Sequence, residues 1–209
     1  DARCKSACKQ HQRRGRHCAA KRERHIERIR SAVRTLTGLL EDFLNVGRLE
    51  EGKIQPRFEA VDAATCIGEW VADFRETAWK TGEIRFRCAD AAYPLHTDPR
   101  VLQNMLLNLL SNAVKYSKPP IDVTVSLQRK DDLLIVSVAD KGMGIPQSEQ
   151  EHLFERFFRA RNAANIQGTG LGLHIVREYA ELLGGTVSFH SAEGEGSTFS
   201  AILPLDLSR

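Results

Sequence analysis

The sequence has no long hydrophobic run, since no apolar stretch approaches the roughly 20 residues needed to span a bilayer. Its first residues are polar and basic and do not have the pattern of a secretory signal. We therefore expect a cytoplasmic chain that makes no membrane contact of its own, with any membrane anchor of the full-length protein outside it. The apolar fraction of 42% and the charged fraction of 27% are typical of a globular protein with a core.

Aromatic residues are scarce, at 7%, and none precedes Phe43. Residues 1–34 are strongly basic, with 12 Lys and Arg against 3 Asp and Glu, whereas the rest of the chain is acidic, with 18 against 24. A basic leader can bind nucleic acid, but this one offers no aromatic side chains on which bases could stack. We predict an unpatterned, solvated leader over residues 1–20 and no nucleic-acid partner, with salt-sensitive DNA binding as the alternative.

Disulfide bonds are not indicated, because the five cysteines are an odd number and no secretory signal precedes them. This usage is typical of a reducing cytoplasm. Several Cys and His residues near the start could be imagined as zinc ligands, but their spacing fits no standard finger and no apolar pattern surrounds them. We favour the absence of a metal at these positions, which are Cys4, Cys8, His11, His17 and Cys18.

Residues 21–52 have the periodicity of a helix. Apolar residues recur at alternating steps of three and four, which is the spacing of a heptad seam, and the flanks are rich in Arg and Glu. Gly47 and Gly52 end the pattern. We predict a helix that packs on other helices, while a helix on the surface of a globular domain is the alternative. The seam consists of Ile26, Ile29, Val33, Leu36, Leu40 and Phe43.

The remaining residues, 53–209, alternate between helical and strand patterns. They predict an α+β fold, a two-layer α/β sandwich with helices over one face of a mixed sheet and one long loop over residues 141–169. Strands are expected at 53–61, 83–88, 121–127, 133–139, 186–191 and 197–204. Helices are expected at 62–80, 98–116 and 170–183, with a short helical piece at 150–158.

The first group of candidate site residues lies on the helix expected to end near Tyr116. Asn108, Asn112, Lys115 and Tyr116 are spaced at i, i+4, i+7 and i+8, so they share one face. Amide oxygens are hard, neutral ligands for Mg²⁺, and a lysine supplies a point charge to phosphate. This face therefore suits a magnesium–phosphate group, although two Asn on a helix face are more often simply solvated.

The second group, Asp140 to Ile145, directly follows an apolar run that reads as a buried strand. A carboxylate at a strand end can accept a hydrogen bond from an exocyclic amine such as that of adenine. Gly142 and Gly144 let the backbone turn sharply and approach a flat ring. Asp-x-Gly-x-Gly can also be no more than a turn.

The third group is a glycine run that opens a helix: Gly168, Thr169, Gly170, Leu171 and Gly172. Free N–H groups at a helix start bind phosphate, and glycines allow close approach. The run lacks the Gly-Lys-Ser/Thr ending of a P-loop and does not follow a strand, so neither the P-loop nor the Rossmann pattern applies.

In combination and order, the three groups resemble the nucleotide-binding boxes of the sensor histidine kinase catalytic domain, within the superfamily that includes gyrase and the heat-shock chaperone ATPase. The resemblance extends over residues 53–209 and includes a Phe-rich box at 153–159 and a final strand turn at 194–199. The Asn-Ala-x-Lys-Tyr form of the first box is closer to kinases than to their relatives. Residues 45–53 resemble the end of the second helix of the kinase dimerisation hairpin.

The resemblance implies ATP and Mg²⁺ as cofactors and assigns roles at the phosphate end of the site. Asn112 becomes the Mg²⁺ ligand, with Asn108 in support, and Lys115 meets phosphate. Asn112 and Lys115 are the candidate catalytic residues. The glycine run offers backbone to the phosphates through Gly168, Thr169, Gly170, Leu171 and Gly172.

The same resemblance assigns the base end. Asp140 fixes the adenine amine, and Tyr116 packs near the sugar or base. The turn after the strand shapes the pocket, and residues 141–169 become a mobile lid with Phe157 and Phe158 as apolar anchors, unless these two only pack in the core. The other base-end residues are Gly142, Gly144, Ile145 and, on the pocket floor, Thr198.

One part of the family pattern is missing. The phosphoacceptor His usually lies in His-Glu/Asp-x-x-Thr/Asn-Pro, and no such box occurs in this sequence; His25 is followed by a different pattern. The resemblance implies a phosphorelay in signal transduction, with a response regulator receiver domain as partner and a homodimer through helix 21–52. Without the box, autophosphorylation within this chain alone is not expected. A nucleotide-binding regulatory module without turnover is the main alternative, and an ATPase or a protein serine kinase on the same fold is another.

Overall fold

The computed structural model of the chain describes positions 25, 26, 29, 32, 33, 36–38, 40, 43, 44 and 46–49 and, after them, residues 51–78, 82–90 and 92–206. The chain divides into two compact units, Asp1–Leu44 and Asn45–Arg209. All described residues of the first unit are helical. The predicted seam is 50% to 65% exposed at each of its members, which are Ile26, Ile29, Val33, Leu36, Leu40 and Phe43. The predicted leader, residues 1–20, lies outside the described residues.

The second unit consists of strands, helices and two short 3₁₀-helices in the order that the sequence predicts for its main elements. The strands are β1 Glu59–Asp62, β2 Gly82–Cys88, β3 Pro94–Thr97, β4 Ile121–Lys130, β5 Leu133–Asp140, β6 Thr186–Ala192 and β7 Gly196–Pro204. The helices are α1 Ala63–Ala78, α2 Pro99–Tyr116 and α3 Gly172–Leu182, and the 3₁₀-helices are Gln147–His152 and Arg161–Ala163. No helix among the described residues is long and apolar enough to cross a membrane.

The main sheet has five strands in the order β2-β4-β5-β7-β6. β2 pairs with β4 in parallel, and the other neighbours are antiparallel, so the predicted mixed sheet is confirmed. β1 and β3 form a separate antiparallel pair. Within the sheet, β5 is central, and its last residue, Asp140, lies opposite Val123 on one side and Ser197 on the other.

The helices cover one face of this sheet. Strands β4 and β5 bury every second residue, as expected where one face meets the core. The predicted apolar stripe of α2 is at most 4% exposed and consists of Leu102, Met105, Leu106, Leu109 and Ala113. The fold is therefore the predicted two-layer α/β sandwich, and α2 is held tightly against the sheet.

Helix α2 begins where the Asp98-Pro99 pair predicts. The Asp98 carboxylate is fully buried and accepts hydrogen bonds from the backbone N–H groups of Arg100, Val101 and Arg57 and from the Arg100 guanidinium. Burial alone would raise the pKa of Asp98, but the hydrogen bonds from Arg100, Arg57 and Val101 outweigh it and lower the pKa to about 2. This cap fixes the start of the helix that carries the first group of site residues.

Two sequence predictions are wrong in extent. Residues 53–58 have no regular structure, and the strand is limited to β1, because Pro56 has no N–H and the N–H of Arg57 is used by the Asp98 carboxylate. The helical piece expected at 150–158 is the 3₁₀-helix Gln147–His152, and the positive φ of 62° at Phe157 prevents a helix there. Strand β3, which pairs with β1, was not predicted.

Candidate functional site

A cavity opens between α2, the end of β5, β7 and residues 143–163, with an empty volume of about 600 Å³ that includes the part open to solvent. Its mostly apolar walls with a few polar groups are typical of a small-molecule site. The predicted residues that line it are Asn112, Tyr116, Asp140, Gly144 and Ile145. The other lining residues are Ala113, Met143, Leu153, Phe158, Arg159, Ala160, Asn162, Ala163, Leu173, Ser197 and Phe199.

The glycine run passes over the predicted face of α2, and its first residue, Gly168, lies against Lys115. A Cβ atom at Gly168 would collide with the Lys115 ammonium and would lie 3.8 Å from the Tyr116 hydroxyl. The Lys115 ammonium lies 4.8 Å from the centre of the Tyr116 ring. The Lys115 ammonium therefore lies against the backbone of the run at Gly168, and neither residue lines the cavity itself.

The other end of the run meets the two Asn side chains. A Cβ atom at Gly172 would lie 3.3 Å from Oδ1 of Asn108 and 3.5 Å from Nδ2 of Asn112. The amide nitrogen of Asn108 donates to the Asn104 carbonyl, 2.9 Å away, so its oxygen is the atom turned toward Gly172. The first and third groups are therefore in contact at both ends of the run.

The start of α3 is suited to anions. It has no side-chain cap, so its first N–H groups are open to a ligand. One predicted donor is already engaged, because the N–H of Leu171 donates to Oγ1 of Thr169 at 3.1 Å and the Leu171 side chain is buried. Helix α3 begins at Gly172 rather than at Gly170, which has a φ of 74°.

Asp140 closes the other end of the cavity. Its carboxylate accepts the N–H of Gly142 at 2.8 Å. Burial raises the pKa of Asp140, and the hydrogen bonds from Gly142 and Ser197 oppose that effect without cancelling it. A Cβ atom at Gly142 would lie 2.5 Å from the Tyr116 carbonyl oxygen, so only glycine lets this turn lie against the end of α2. The second group is thereby joined to the first.

Gly144 requires its glycine for two reasons. Its φ is 62°, and a Cβ atom there would collide with the Ala192 carbonyl. Its own carbonyl accepts Nδ2 of Asn162 at 3.0 Å, and the next N–H, that of Ile145, donates to Oγ of Ser191 at 3.0 Å. These bonds hold the turn against Ser191 of β6 on one side and against Asn162, further along the same loop, on the other.

The predicted lid segment, residues 141–169, is held by polar side chains that the sequence patterns did not reveal. Glu149 is 7% exposed and accepts both the backbone N–H and Nε of Arg161, at 2.9 and 2.8 Å. The Arg159 guanidinium donates to the Ala163, Ala164 and Ile166 carbonyls. Arg159 and Asn162 line the cavity. In the sequence, these side chains stand out only as polar residues inside a loop that has glycines near both ends.

The structure corrects two positions of the predicted site. Thr198 lies on the sheet face opposite to Ser197 and Phe199, because strand residues alternate, and Ser197 lines the cavity in its place. Phe157, expected as an apolar anchor of the lid, is 65% exposed, whereas Phe154 packs against Phe189 with 5.9 Å between ring centres. Phe158 lines the cavity as expected.

Residues 97–207 match the family described as "Histidine kinase-, DNA gyrase B-, and HSP90-like ATPase", a family of ATP-binding domains. The chain is 33% identical over 186 residues to the circadian input-output histidine kinase CikA of Synechococcus elongatus, covering 86% of this chain and 24% of CikA. It is 31% identical over 183 residues to the sensor-like histidine kinase SenX3 of Mycolicibacterium smegmatis, covering 87% and 48%. The chain thus spans between a quarter and a half of the length of these curated relatives.

Solved structures agree. The mycobacterial sensor histidine kinase MprB superposes with a TM-score of 0.60 at 31% identity, over 70% of this chain and 97% of that one. Full-length ShkA, solved in complex with AMPPNP, gives 0.70 at 26% identity, over 81% and 35%. The chain therefore belongs to the histidine kinase-, DNA gyrase B- and HSP90-like ATPase family, and its catalytic unit is of the sensor histidine kinase type.

Proposed function

We propose that this chain binds Mg-ATP in the cavity between α2 and the lid and donates the γ-phosphoryl group to a histidine, as the ATP-binding part of a sensor histidine kinase. The observation that carries the proposal is the convergence of the three groups: Gly168 lies at Lys115, Gly172 lies at the two Asn amides, and Gly142 packs on Tyr116 beside Asp140. The AMPPNP complex of ShkA supports adenine nucleotide as the ligand class.

The base end of the cavity would hold adenine. Asp140 presents a half-buried carboxylate that can accept a hydrogen bond from the exocyclic amine, while Met143, Ile145 and Leu153 provide apolar walls for the ring. A purine with a carbonyl at that position would leave two acceptors facing each other. This end of the site therefore favours adenine over guanine.

The phosphate end would hold the triphosphate and Mg²⁺. The described residues contain no group of three or more His, Cys, Asp or Glu able to hold a metal ion by themselves. Asn112 and Asn108 offer amide oxygens beside Gly172, which fits Mg²⁺ bound by one or two protein oxygens together with phosphates and water. When bound, Mg²⁺ neutralises charge that develops on the phosphoryl group. Lys115 adds a positive charge, and the open N–H groups of α3 orient the phosphates.

The phosphoacceptor must come from another segment or another chain, because this sequence contains no His-Glu/Asp-x-x-Thr/Asn-Pro box. We infer three parts, a leader at 1–20, a dimerisation helix at 21–52 and a catalytic domain at 53–209. The exposed apolar seam of the helical unit would pair with a second copy, and a response regulator receiver domain would take the phosphoryl group, in the cytoplasm.

Transfer can be tested with γ-labelled ATP and a separately supplied helical hairpin that carries a His-Glu-x-x-Thr-Pro box. We expect acid-labile label on the hairpin, and none when the hairpin His is replaced. Binding of ATP without any label would instead make this chain a nucleotide-binding regulatory module. Acid-stable label would point to a serine kinase.

A further inference from the structure

His174 is a buried titratable side chain with no place in the proposed chemistry. It lies in the first turn of α3, is 3% exposed and does not line the nucleotide cavity. Its ring is turned toward the Phe-rich box, residues 153–159, which supplies three lining residues, Leu153, Phe158 and Arg159.

Both ring nitrogens of His174 are occupied by groups of that box. Nδ1 lies 3.2 Å from the Phe154 carbonyl oxygen, and Nε2 lies 3.1 Å from Nε of Arg156. A carbonyl can only accept, and a guanidinium can only donate. Both contacts are hydrogen bonds only when the imidazole is neutral, with its proton on Nδ1.

Burial of the ring favours that neutral form, and the charges around it act in both directions. The charged groups facing His174 are Arg156 from the box and Arg177 and Glu178 from α3, the last two at 3.5 and 3.9 Å from the ring nitrogens. Burial is the main reason that the pKa of His174 is lowered; Glu178 opposes the shift, and the two guanidiniums add to it. A second ring proton would also remove the acceptor that Arg156 uses.

The same junction is fastened at two further points. The Arg177 guanidinium lies 6.0 Å from the centre of the Phe154 ring, and the Phe157 N–H donates to the Gly170 carbonyl at 3.0 Å. The box is therefore tied to the first turns of α3, whose first residue, Gly172, faces the two Asn amides. Movement of the box away from α3 would carry Phe158 and Arg159 out of the cavity wall.

We propose that His174 is a positioning residue for nucleotide binding, whose neutral ring fastens the Phe-rich box to α3 and so sets where Phe158 and Arg159 stand in the cavity. The proposal rests on the proposed function, since it concerns the same ATP site. It assigns the ring two separable tasks, donation from Nδ1 and acceptance at Nε2, and each can be removed alone.

Three variants separate the tasks. His174→Asn keeps an amide near the Nδ1 position, which can donate to Phe154, and His174→Gln keeps one near Nε2, which can accept from Arg156. His174→Leu removes both bonds. With Mg-ATP titrated by calorimetry at pH 7.5, we expect a loss of affinity of about tenfold for Leu and about threefold for each amide variant. His190→Leu, a change at an exposed histidine on β6, should bind as the wild type does.

The pH profile distinguishes positioning from mere packing. As the pH falls through the lowered pKa of His174, protonation of its ring should weaken ATP binding by the wild type more than by His174→Gln, which has no titrating group there. ATP itself also titrates in this range, but it does so equally for both proteins. The ratio of the wild-type affinity to the His174→Gln affinity is therefore free of that effect. Amide exchange in residues 154–158 should quicken in the Leu variant, measured without nucleotide.

The outcomes are distinct. If the wild type does not bind Mg-ATP, the proposed function fails. If the wild type binds while the Leu and Gln variants bind equally well, with unchanged exchange and a flat affinity ratio, the role of His174 is refuted and the proposed function stands. Should the Leu variant not fold, the Gln variant and its pH ratio decide alone.

Discussion

The cavity has two sides that are stabilised by different interactions. On one side, α2 buries eight residues along its length against the sheet and presents Asn108, Asn112 and Lys115 from the opposite face. On the other side, the lid residues 141–169 have two 3₁₀-helices as their regular structure and are held by single side chains such as Glu149 and Asn162, which bond to backbone groups. The α2 side depends on the whole core, whereas the lid side depends on a few polar contacts and on a few buried apolar side chains such as Leu153.

This difference separates global stability from nucleotide affinity. Substitutions beneath α2 should lower the free energy of unfolding of the whole domain, because the lost contacts belong to its core. Substitutions in the lid should leave unfolding nearly unchanged and should alter local opening and ligand affinity, because such segments open at low free-energy cost. The predictions below test that separation, beginning with the largest effect.

The largest effect is expected at Leu110, a fully buried residue on the core-facing side of α2. Leu110→Ala should lower the free energy of unfolding by about 3 kcal/mol, through lost burial and the cavity left behind. Leu133→Ala, at a residue that is 38% exposed, is the matched control and should change it by less than about 1 kcal/mol. Urea unfolding followed by circular dichroism measures both, and equal losses would contradict the core assignment.

The cap of α2 should come next. Asp98→Ala should cost about 2 kcal/mol of stability at neutral pH, because it removes the helix cap and leaves buried N–H groups unpaired. The pKa of Asp98 is lowered to about 2, so its contribution is complete above an unfolded-state pKa near 4 and is lost as the pH falls through about 2. Stability of the wild type and variant should converge toward that pH. Glu83→Gln, in an exposed ion pair, should have little effect at any pH.

Asp140 should separate affinity from stability within one residue. Its pKa is raised by burial, so the ionised carboxylate lowers the stability of the unliganded protein once the pH rises above its unfolded pKa. We expect Asp140→Asn to unfold at the same or a higher temperature and yet to bind ATP about tenfold more weakly, since the amide can present a donor to the adenine amine. An equal loss for all nucleoside triphosphates would count against the adenine contact.

The smallest effect on unfolding should come from the lid. Glu149→Gln weakens the bonds to the N–H and side chain of Arg161, so amide exchange at Arg161 should quicken and ATP affinity should fall a few-fold. The free energy of unfolding should change by less than about 1 kcal/mol. Glu155→Gln, in the same segment but exposed, is the control and should leave exchange at Arg161 as it is. A global loss of stability at Glu149 would erase the distinction between the two sides.

The two sides also differ in how much the sequence reveals. Helix α2 is predicted to within one residue, because Asp98-Pro99 marks its start and a continuous apolar stripe marks its buried face. The lid has no periodicity, and its contacts join residues such as Glu149 and Arg161, or Asn162 and Gly144, that no pattern links. Strand β3 was missed for a similar reason, since four residues that pair with a distant strand carry little signal.

The three groups that the sequence singles out lie near one another in the fold, and their nucleotide-binding roles stay predictions. In the fold, Gly142, Gly168 and Gly172 lie next to residues of α2, and at Gly142 only glycine fits against the Tyr116 carbonyl. The misplacement of Thr198 is a shift of one residue on a strand, which turns a side chain to the other face. Phe154, rather than Phe157, packs against the sheet. Phe157 has a positive φ and is exposed, and the sequence composition does not reveal that backbone conformation.

Calorimetric titration of the chain with Mg-ATP, compared between the wild type and Asn112→Ala, tests the central claim most directly. The wild type should bind one Mg-ATP per chain. The variant should show no measurable binding and should unfold within about 1 kcal/mol of the wild type, because Asn112 lies outside the core stripe of α2. Unchanged affinity in Asn112→Ala would contradict the account, since it would show that the polar face of α2 does not bind Mg-ATP.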